Sequence, residues 1–575
     1  MSKKIVRRPL PAEMPDLGAD IHPVLARVYA LRKVADAGEL EQGLAHLPPP
    51  DQMLGLTDSV EILVAALEQG RRILIVGDFD ADGATSSALA VRALRMMGAA
   101  SVDFLVPNRF EFGYGLTPEI VEVARDFEPD LLITVDNGIA SVEGVAAAKA
   151  LGWQVVVTDH HLPGATLPAA DAIINPNQPG CLFPSKNLAG VGVIFYLMLG
   201  LRAALRDKGW FGRRGLEEPN LATLLDLVAL GTVADVVPLD FVNRILVAQG
   251  LARIRSGHCC PGIRALLEVA GRSREKAVAT DMGFVVGPRL NAAGRLEDMS
   301  IGIDCLLSEA MTEALIAARE LDSLNRERRA IEQTMQDQAL AALDALQLDE
   351  QTLPRGLCLF QEDWHQGVIG ILASRIKERF HRPVIAFAAA DEESIKGSAR
   401  SVPGFHIRDG LDALATRHPG LISKFGGHAM AAGLTIQRDR FEAFQAAFDE
   451  EVGRHLGEAD LQGVVWSDGE LGPADFNLEL AEQLRMAGPW GQAFPEPVFD
   501  GEFEVLKRRI VGERHLKLFL KPESGGQPID AIAFHTTDED WPPQSQRARV
   551  AFKLDVNEYQ GRRSPQLIVE HIEPI

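Results

Sequence analysis

Arg72-Ile73-Leu74-Ile75-Val76-Gly77-Asp78-Phe79-Asp80-Ala81-Asp82-Gly83 decides how this chain is read. An apolar β-rich run ends in a glycine and three carboxylates at i, i+2 and i+4, and an Ala/Leu-rich segment of helical period follows from Ala84. The order is strand, polar turn, helix. In an open α/β sheet the carboxyl ends of the strands line the crevice where ligands bind. Three clustered negative charges repel one another unless a cation screens them, and hard divalent metals favour such oxygen ligands.

The same arrangement recurs downstream. Apolar runs at Val102 to Val106, Leu131 to Val135, Gln154 to Val157 and Ala172 to Ile174 alternate with Ala-rich helical segments. This predicts an α/β fold with a parallel sheet and helices on both faces. Leu131 to Val135 ends in Asp136-Asn137-Gly138, and the run from Gln154 ends in Asp159-His160-His161; Asp235 follows the apolar stretch Leu221 to Leu230. On its own the first segment also fits a solvated acidic turn or the opening of a haloacid-dehalogenase phosphatase. A calcium loop fits less well, because its twelfth position is Leu89 and a strand precedes it. His-His beside Asp on the same sheet edge favours metal binding. Oxygen ligands in excess over imidazoles select Mn²⁺ or Mg²⁺ rather than zinc. Two ions sharing a carboxylate would activate water and neutralise a phosphoryl oxygen, so phosphoester or phosphoanhydride hydrolysis is the expected chemistry.

Outside this region, Ser308 to Leu348 has no Gly or Pro and reads as a long connecting helix. A smaller α/β domain follows from Leu357 to about Glu450. The last stretch carries five short alternating runs separated by turns, which suggests an OB-like β-barrel. The predicted boundaries are 1–305, 306–350, 351–455 and 456–575. Five scattered cysteines without C-x-x-C spacing, no apolar run behind the basic first residues, and no 20-residue apolar stretch point to a cytoplasmic protein away from membranes. The net charge of −22 would repel a phosphate backbone over most of the surface. Part of it is the carboxylate cluster, and part is Glu451 to Asp500, with ten acids against Arg454 and Arg485. Attraction for nucleic acid is thereby confined to local basic stretches.

The four motifs, in order, resemble those of the DHH phosphoesterase superfamily, named for the triplet standing here as Asp159-His160-His161. The segment Gly426 to Gly433 resembles the signature of the DHH-associated substrate-binding domain. Gly287 to Arg295, Trp364 to Gly370, Gly397 to Ser401 and the C-terminal barrel are similar to the superfamily's bacterial single-stranded-DNA exonucleases. The resemblance implies a 5′-to-3′ exonuclease acting in recombination and repair. It implies that Asp80, Asp82, Asp136, His160 and Asp235 hold two ions, with Asp136 the candidate bridge. Asp78 is then a further ligand or an acceptor behind the ligands, His161 faces the scissile phosphate, and Asp159 orients the histidines. It also suggests the acidic tail of single-stranded DNA-binding protein and a RecQ-type helicase as partners.

Substrate contacts are expected from a local basic excess around Ser398, Arg400, Ser401, Gly426, Gly427 and His428, whose small residues let backbone N–H groups approach phosphate. Arg109, Arg289 and Arg295 are further phosphate candidates. Tyr114 is a candidate base-stacking residue, with packing the equal alternative. Lys507, Arg508, Arg509, Arg514, Lys517, Lys521, Arg562 and Arg563 form a single-strand track if they share a face of the barrel. A phosphodiesterase for short oligonucleotides or cyclic dinucleotides is the nearest rival, and a non-catalytic DNA-binding scaffold is the second.

Overall fold

The computed structural model describes residues 3–106, 115–345, 353–458, 460–512, 515–534, 536, 546–559 and 561–575. Contacts divide the chain into two compact units, one of Pro9–Asn325 with Glu479–Pro497, the other of the residues up to Arg8, Arg326–Leu478 and Val498–Ile575. Strand β1 (Lys4–Arg7) belongs to the second unit.

In the first unit, β2 (Arg72–Val76), β3 (Ser101–Leu105), β4 (Leu131–Val135), β5 (Gln154–Thr158) and β6 (Ala172–Ile174) form a parallel sheet ordered β3-β2-β4-β5-β6. Leu74, Val76, Leu132, Val155 and Val157 pack with Ile120, Val121 and Val145. The intervening Ile73, Ile75, Ile133 and Val156 are equally buried. Burial on both faces is why these strands read as unbroken apolar runs. Helix α1 (Ala81–Met96) follows β2 and is buried almost all round by its small Ala, Ser, Thr and Gly residues. The apolar stretch from Leu188 becomes α2 (Gly190–Asp207); α3 (Leu225–Ala234), α4 (Gly287–Leu296) and α5 (Met311–Ala345) follow. The predicted end of the long helix at Leu348 lies outside the described residues.

Glu479–Pro497 joins this unit because its aromatics are buried here. Tyr29 stacks with Trp490 and Phe494 at centroid distances of 6.0 and 6.3 Å. Arg32 donates to the carbonyls of Pro495 and Glu496.

In the second unit, β7 (Leu357–Phe360), β8 (Val384–Ala389), β9 (Ser394–Arg400), β10 (Lys424–Gly427) and β11 (Ala431–Gln437) form a mixed sheet ordered β10-β11-β9-β8-β7. Only β7 and β8 run parallel. Helix α6 (Ile369–Phe380) and the later part of α5 share one core with β7 and β8, while α7 (Ile407–Arg417) and α8 (Phe441–His455) share another with β8, β9 and β11. The segments around Ser398 and Gly426 are strands. The glycine of β9 is there for packing, since a Cβ on Gly397 would lie 2.6 Å from the Phe387 ring.

Strand β12 (Val464–Ser467) pairs in parallel with β1. The five remaining strands, β13 (Phe499–Val511), β14 (His515–Pro522), β15 (Ile529–Ala533), β16 (Arg547–Tyr559) and β17 (Arg562–Pro574), close into a barrel ordered β13-β14-β15-β17-β16 around Phe499, Phe503 and Phe552. The cysteines form no disulfide. No described helix is long and apolar enough to cross a membrane.

Candidate metal centre

The chain leaves β2 for β3 on one side and returns to β4 on the other, so the order of connections reverses between β2 and β4. Ligands of α/β sheets bind at the carboxyl ends beside such a reversal. Asp78–Asp82 follows β2, Asp136 follows β4, and Asp159–His161 follows the adjacent β5.

Each loop is held by backbone chemistry. Asp80 caps α1, its Oδ1 accepting the N–H of Asp82 and Gly83 at 2.9 and 3.0 Å. Asp82 accepts the N–H groups of Gly190 and Val191, at the start of α2, at 2.6 and 3.0 Å. Asp136 sits at φ 61°, a left-handed conformation that Asp tolerates, and Gly138 follows at φ 112°. Asn137 between them donates to the carbonyls of Val76 and Val135 at 3.1 and 3.0 Å, tying β2 to β4. Asp159 Oδ1 accepts the N–H of His160 and His161 and lies 2.7 Å from His161 Nδ1; its Oδ2 accepts the Ile139 N–H. One carboxylate thereby anchors the backbone of both histidines and the ring of His161.

His160 Nε2 stands 3.1 Å from Asp136 Oδ1 and 3.4 Å from Asp235 Oδ2. Three sets of donor atoms each lie within 4.8 Å of one another: Asp136 with His160 and His161, Asp82 with His160 and Asp235, and Asp78 with Asp80 and Asp136. Asp136 and His160 each belong to two sets. Mostly oxygen donors with two imidazoles fit hard divalent cations.

Electrostatics agree with that fit. Burial, then the charge of Asp80, pushes Asp82 up to about 7 despite the α2 N–H groups. Burial and the surrounding carboxylates also raise Asp136 and Asp235. Like charges this close cannot all ionise without a compensating cation. Asp159 is the exception: burial opposes its charge, but the hydrogen bond and charge of His161 hold it below the usual carboxylate range. His161, disfavoured by burial, is raised to about 9 by Asp159 and then by Asp78 and Asp80.

The other sequence candidates are distributed. Arg109 and Tyr114 lie outside the described residues. Arg289, in α4, is buried and donates to Asp322 at 2.8 Å and to the Val285 carbonyl at 2.6 Å, so its charge is already paired. Arg295, half-buried, ends the same helix. In the second unit, Arg400 donates to Ser398 Oγ at 3.1 Å, and both lie against Gly370 at the start of α6. Ser401 is buried and donates to the Phe405 carbonyl at 2.6 Å, which makes it a turn support. Gly426 is exposed, Gly427 has φ 144°, and exposed His428 occupies the β10–β11 turn, opposite whose end Arg400 pairs with Ala431. Arg417 is bonded to the buried Glu451. On the barrel, Lys507 pairs with Phe519 and Arg509 with Lys517, so these four share a face; Arg508 pairs with buried Leu518 and faces the other way. Arg514 lies outside the described residues.

Sequence reasoning missed Asn137, Gly190 and Val191. Asn137 stands inside a quoted triplet, yet nothing in its neighbours announces the two carbonyls it ties. Gly190 is detectable only in three dimensions, where a Cβ would lie 2.6 Å from that of Asp136.

A parallel sheet whose reversal point gathers Asp-x-Asp-x-Asp-Gly, Asp-Asn-Gly and Asp-His-His is the mark of the DHH phosphoesterases. The DHH family N-terminal domain matches residues 72–232, the DHHA1 domain 353–454 and the RecJ OB domain 467–571. The single-stranded-DNA-specific exonuclease RecJ of Escherichia coli (strain K12) is 57% identical, over 98% of each chain. The crystal structure of RecJ in complex with Mn²⁺ from Thermus thermophilus superposes with a TM-score of 0.78 at 31% identity, over 97% of this chain and 76% of that one. Its Mg²⁺ complex superposes at 0.74 and 29% identity, over 97% and 75%. The chain belongs to the RecJ family.

Proposed function

We infer that this chain is a metal-dependent exonuclease specific for single-stranded DNA, and that Mn²⁺ or Mg²⁺ is its cofactor, two ions to a site. The observation that carries the reading is the gathering of Asp78, Asp80, Asp82, Asp136, His160, His161 and Asp235 in overlapping donor sets at the sheet's reversal point. In this reading Asp80, Asp82, Asp136, His160 and Asp235 hold the ions, with Asp136 shared. Bound there, the ions supply Lewis acidity and water activation for in-line phosphodiester hydrolysis. Asp159 anchors the backbone of both histidines and the imidazole of His161, and His161 keeps a proton at Nδ1 against it, presenting a cationic edge to the phosphate. Ser398, Arg400 and His428 take a phosphate of the substrate, with Gly370 of α6 leaving the room for it beside Ser398 and Arg400. Lys507, Arg509 and Lys517 with Phe519 make a basic, aromatic barrel face of the kind that tracks single strands.

The 5′-to-3′ direction, a role in recombination and repair, a cytoplasmic setting, and partnership with a RecQ-type helicase or the acidic tail of single-stranded DNA-binding protein belong to this proposal as well. The test is incubation with 5′-labelled single-stranded and duplex DNA, with Mn²⁺ or with chelator. Metal-dependent release of mononucleotides from the single strand alone is expected. Equal degradation of duplex, or release in chelator, overturns the reading.

A further inference from the structure

One helix touches two of the ligand-bearing segments without supplying a ligand to either. In α4, Gly287, Asn291 and Gly294 recur at i, i+4 and i+7 and so share a face. Asn291 Oδ1 accepts the N–H of Ala81 at 2.7 Å. That donor is the first of α1, between Asp80 and Asp82; the next two are taken by Asp80 Oδ1 and the fourth by the Asp80 carbonyl. Asn291 thus completes the cap of the helix that carries the first carboxylates. A Cβ on Gly294 would stand 1.8 Å from the carbonyl oxygen of Phe79, so α4 lies directly against the Asp78–Asp80 turn. A Cβ on Gly287 would stand 3.0 Å from that of Ala234, the residue before Asp235. A π-helical turn, Met282–Val286, leads into α4 and packs against α3; such turns re-aim a helix face.

We propose that α4 is a brace for the metal centre and that Asn291 is a positioning residue, holding the Asp78–Asp82 turn at a fixed distance from Asp235. The proposal rests on the metal-centre reading and adds a part to it. Backbone rather than side chains is gripped on the Asp78–Asp82 side, so the ligands keep their rotamers while the turn that carries them is set. Loss of the Ala81 contact leaves a helix N–H unsatisfied and lets the turn relax, which loosens the cation site more than the fold.

The full-length protein, stripped of metal, is titrated with Mn²⁺ alone while free Mn²⁺ is followed by electron paramagnetic resonance, and its metal-free melting temperature is recorded. Asn291→Leu, similar in size but without an acceptor, is expected to bind Mn²⁺ about tenfold more weakly, the scale of lost support behind a ligand, with turnover recovered at high Mn²⁺. Asn291→Asp keeps the acceptor and is expected to stay within about threefold of wild type, well short of that loss. If the leucine variant does not fold, Asn291→Ala, which adds no bulk, is read in the same way. Wild-type affinity in the leucine or alanine variant overturns the brace, as does an aspartate variant that loses as much as leucine does. A wild-type protein that takes up no Mn²⁺ overturns the metal centre itself.

Discussion

Asp136 carries more of the site than any other side chain: it is buried, lies in two donor sets, and is raised by burial and four neighbouring carboxylates. Without a cation those charges oppose folding, so activity and stability are in conflict at this residue. Asp136→Asn is expected to abolish turnover while raising the metal-free melting temperature by roughly 1–2 °C, the shift expected of about 1 kcal/mol in a unit of this size. Calorimetry in chelator beside the single-strand assay checks both, and a fall in melting temperature would contradict the electrostatic account. Asp159 works differently, because it holds the histidines through three contacts on one oxygen. Asp159→Asn keeps the shape and loses the charge that secures the His161 proton. A fall of about 10–100-fold in kcat is expected, with KM for DNA little changed.

At the level of elements, α2 closely approaches the Asp136 loop that follows β4. Gly190→Ala drives a methyl group against Asp136 and is expected to cost about 1–3 kcal/mol, as overpacking does. Thermal melting measures that cost, and Mn²⁺ titration should weaken alongside it. The parallel sheet and its Asp and His loops were legible in the sequence because each strand announces itself by an apolar run and each loop by abrupt polarity at its end. The mixed sheet of the second unit was only half legible: β9 and β10 are rich in small residues, so their alternation is of size rather than polarity. Arg289 shows the complementary limit. An arginine in a glycine- and asparagine-rich segment looks available to phosphate until Asp322, from a helix further along, is seen to hold it. Pairing across distant elements leaves no periodic trace.

On the scale of the molecule, β1 returns the start of the chain to the second unit. There Arg7 and Arg549 both bond to buried Asp500, which Ser467 also contacts. Burial opposes the Asp500 charge, but these bonds hold its pKa below the usual carboxylate range. A lowered carboxylate contributes stability that is complete above its unfolded pKa and is lost as pH falls through its folded one. Arg7→Ala is therefore expected to cost about 1–3 kcal/mol at neutral pH and to unfold the second unit at a higher pH in acid titrations followed by circular dichroism. The chain also crosses between the units at four places, near residues 8, 325, 478 and 497. Protease nicking at any one crossing should therefore yield fragments that still migrate together until denatured. A gene segment spanning only residues 9–325 would encode a unit whose Tyr29 faces solvent where Trp490 and Phe494 belong, so the excised piece is expected to be sticky and poorly soluble.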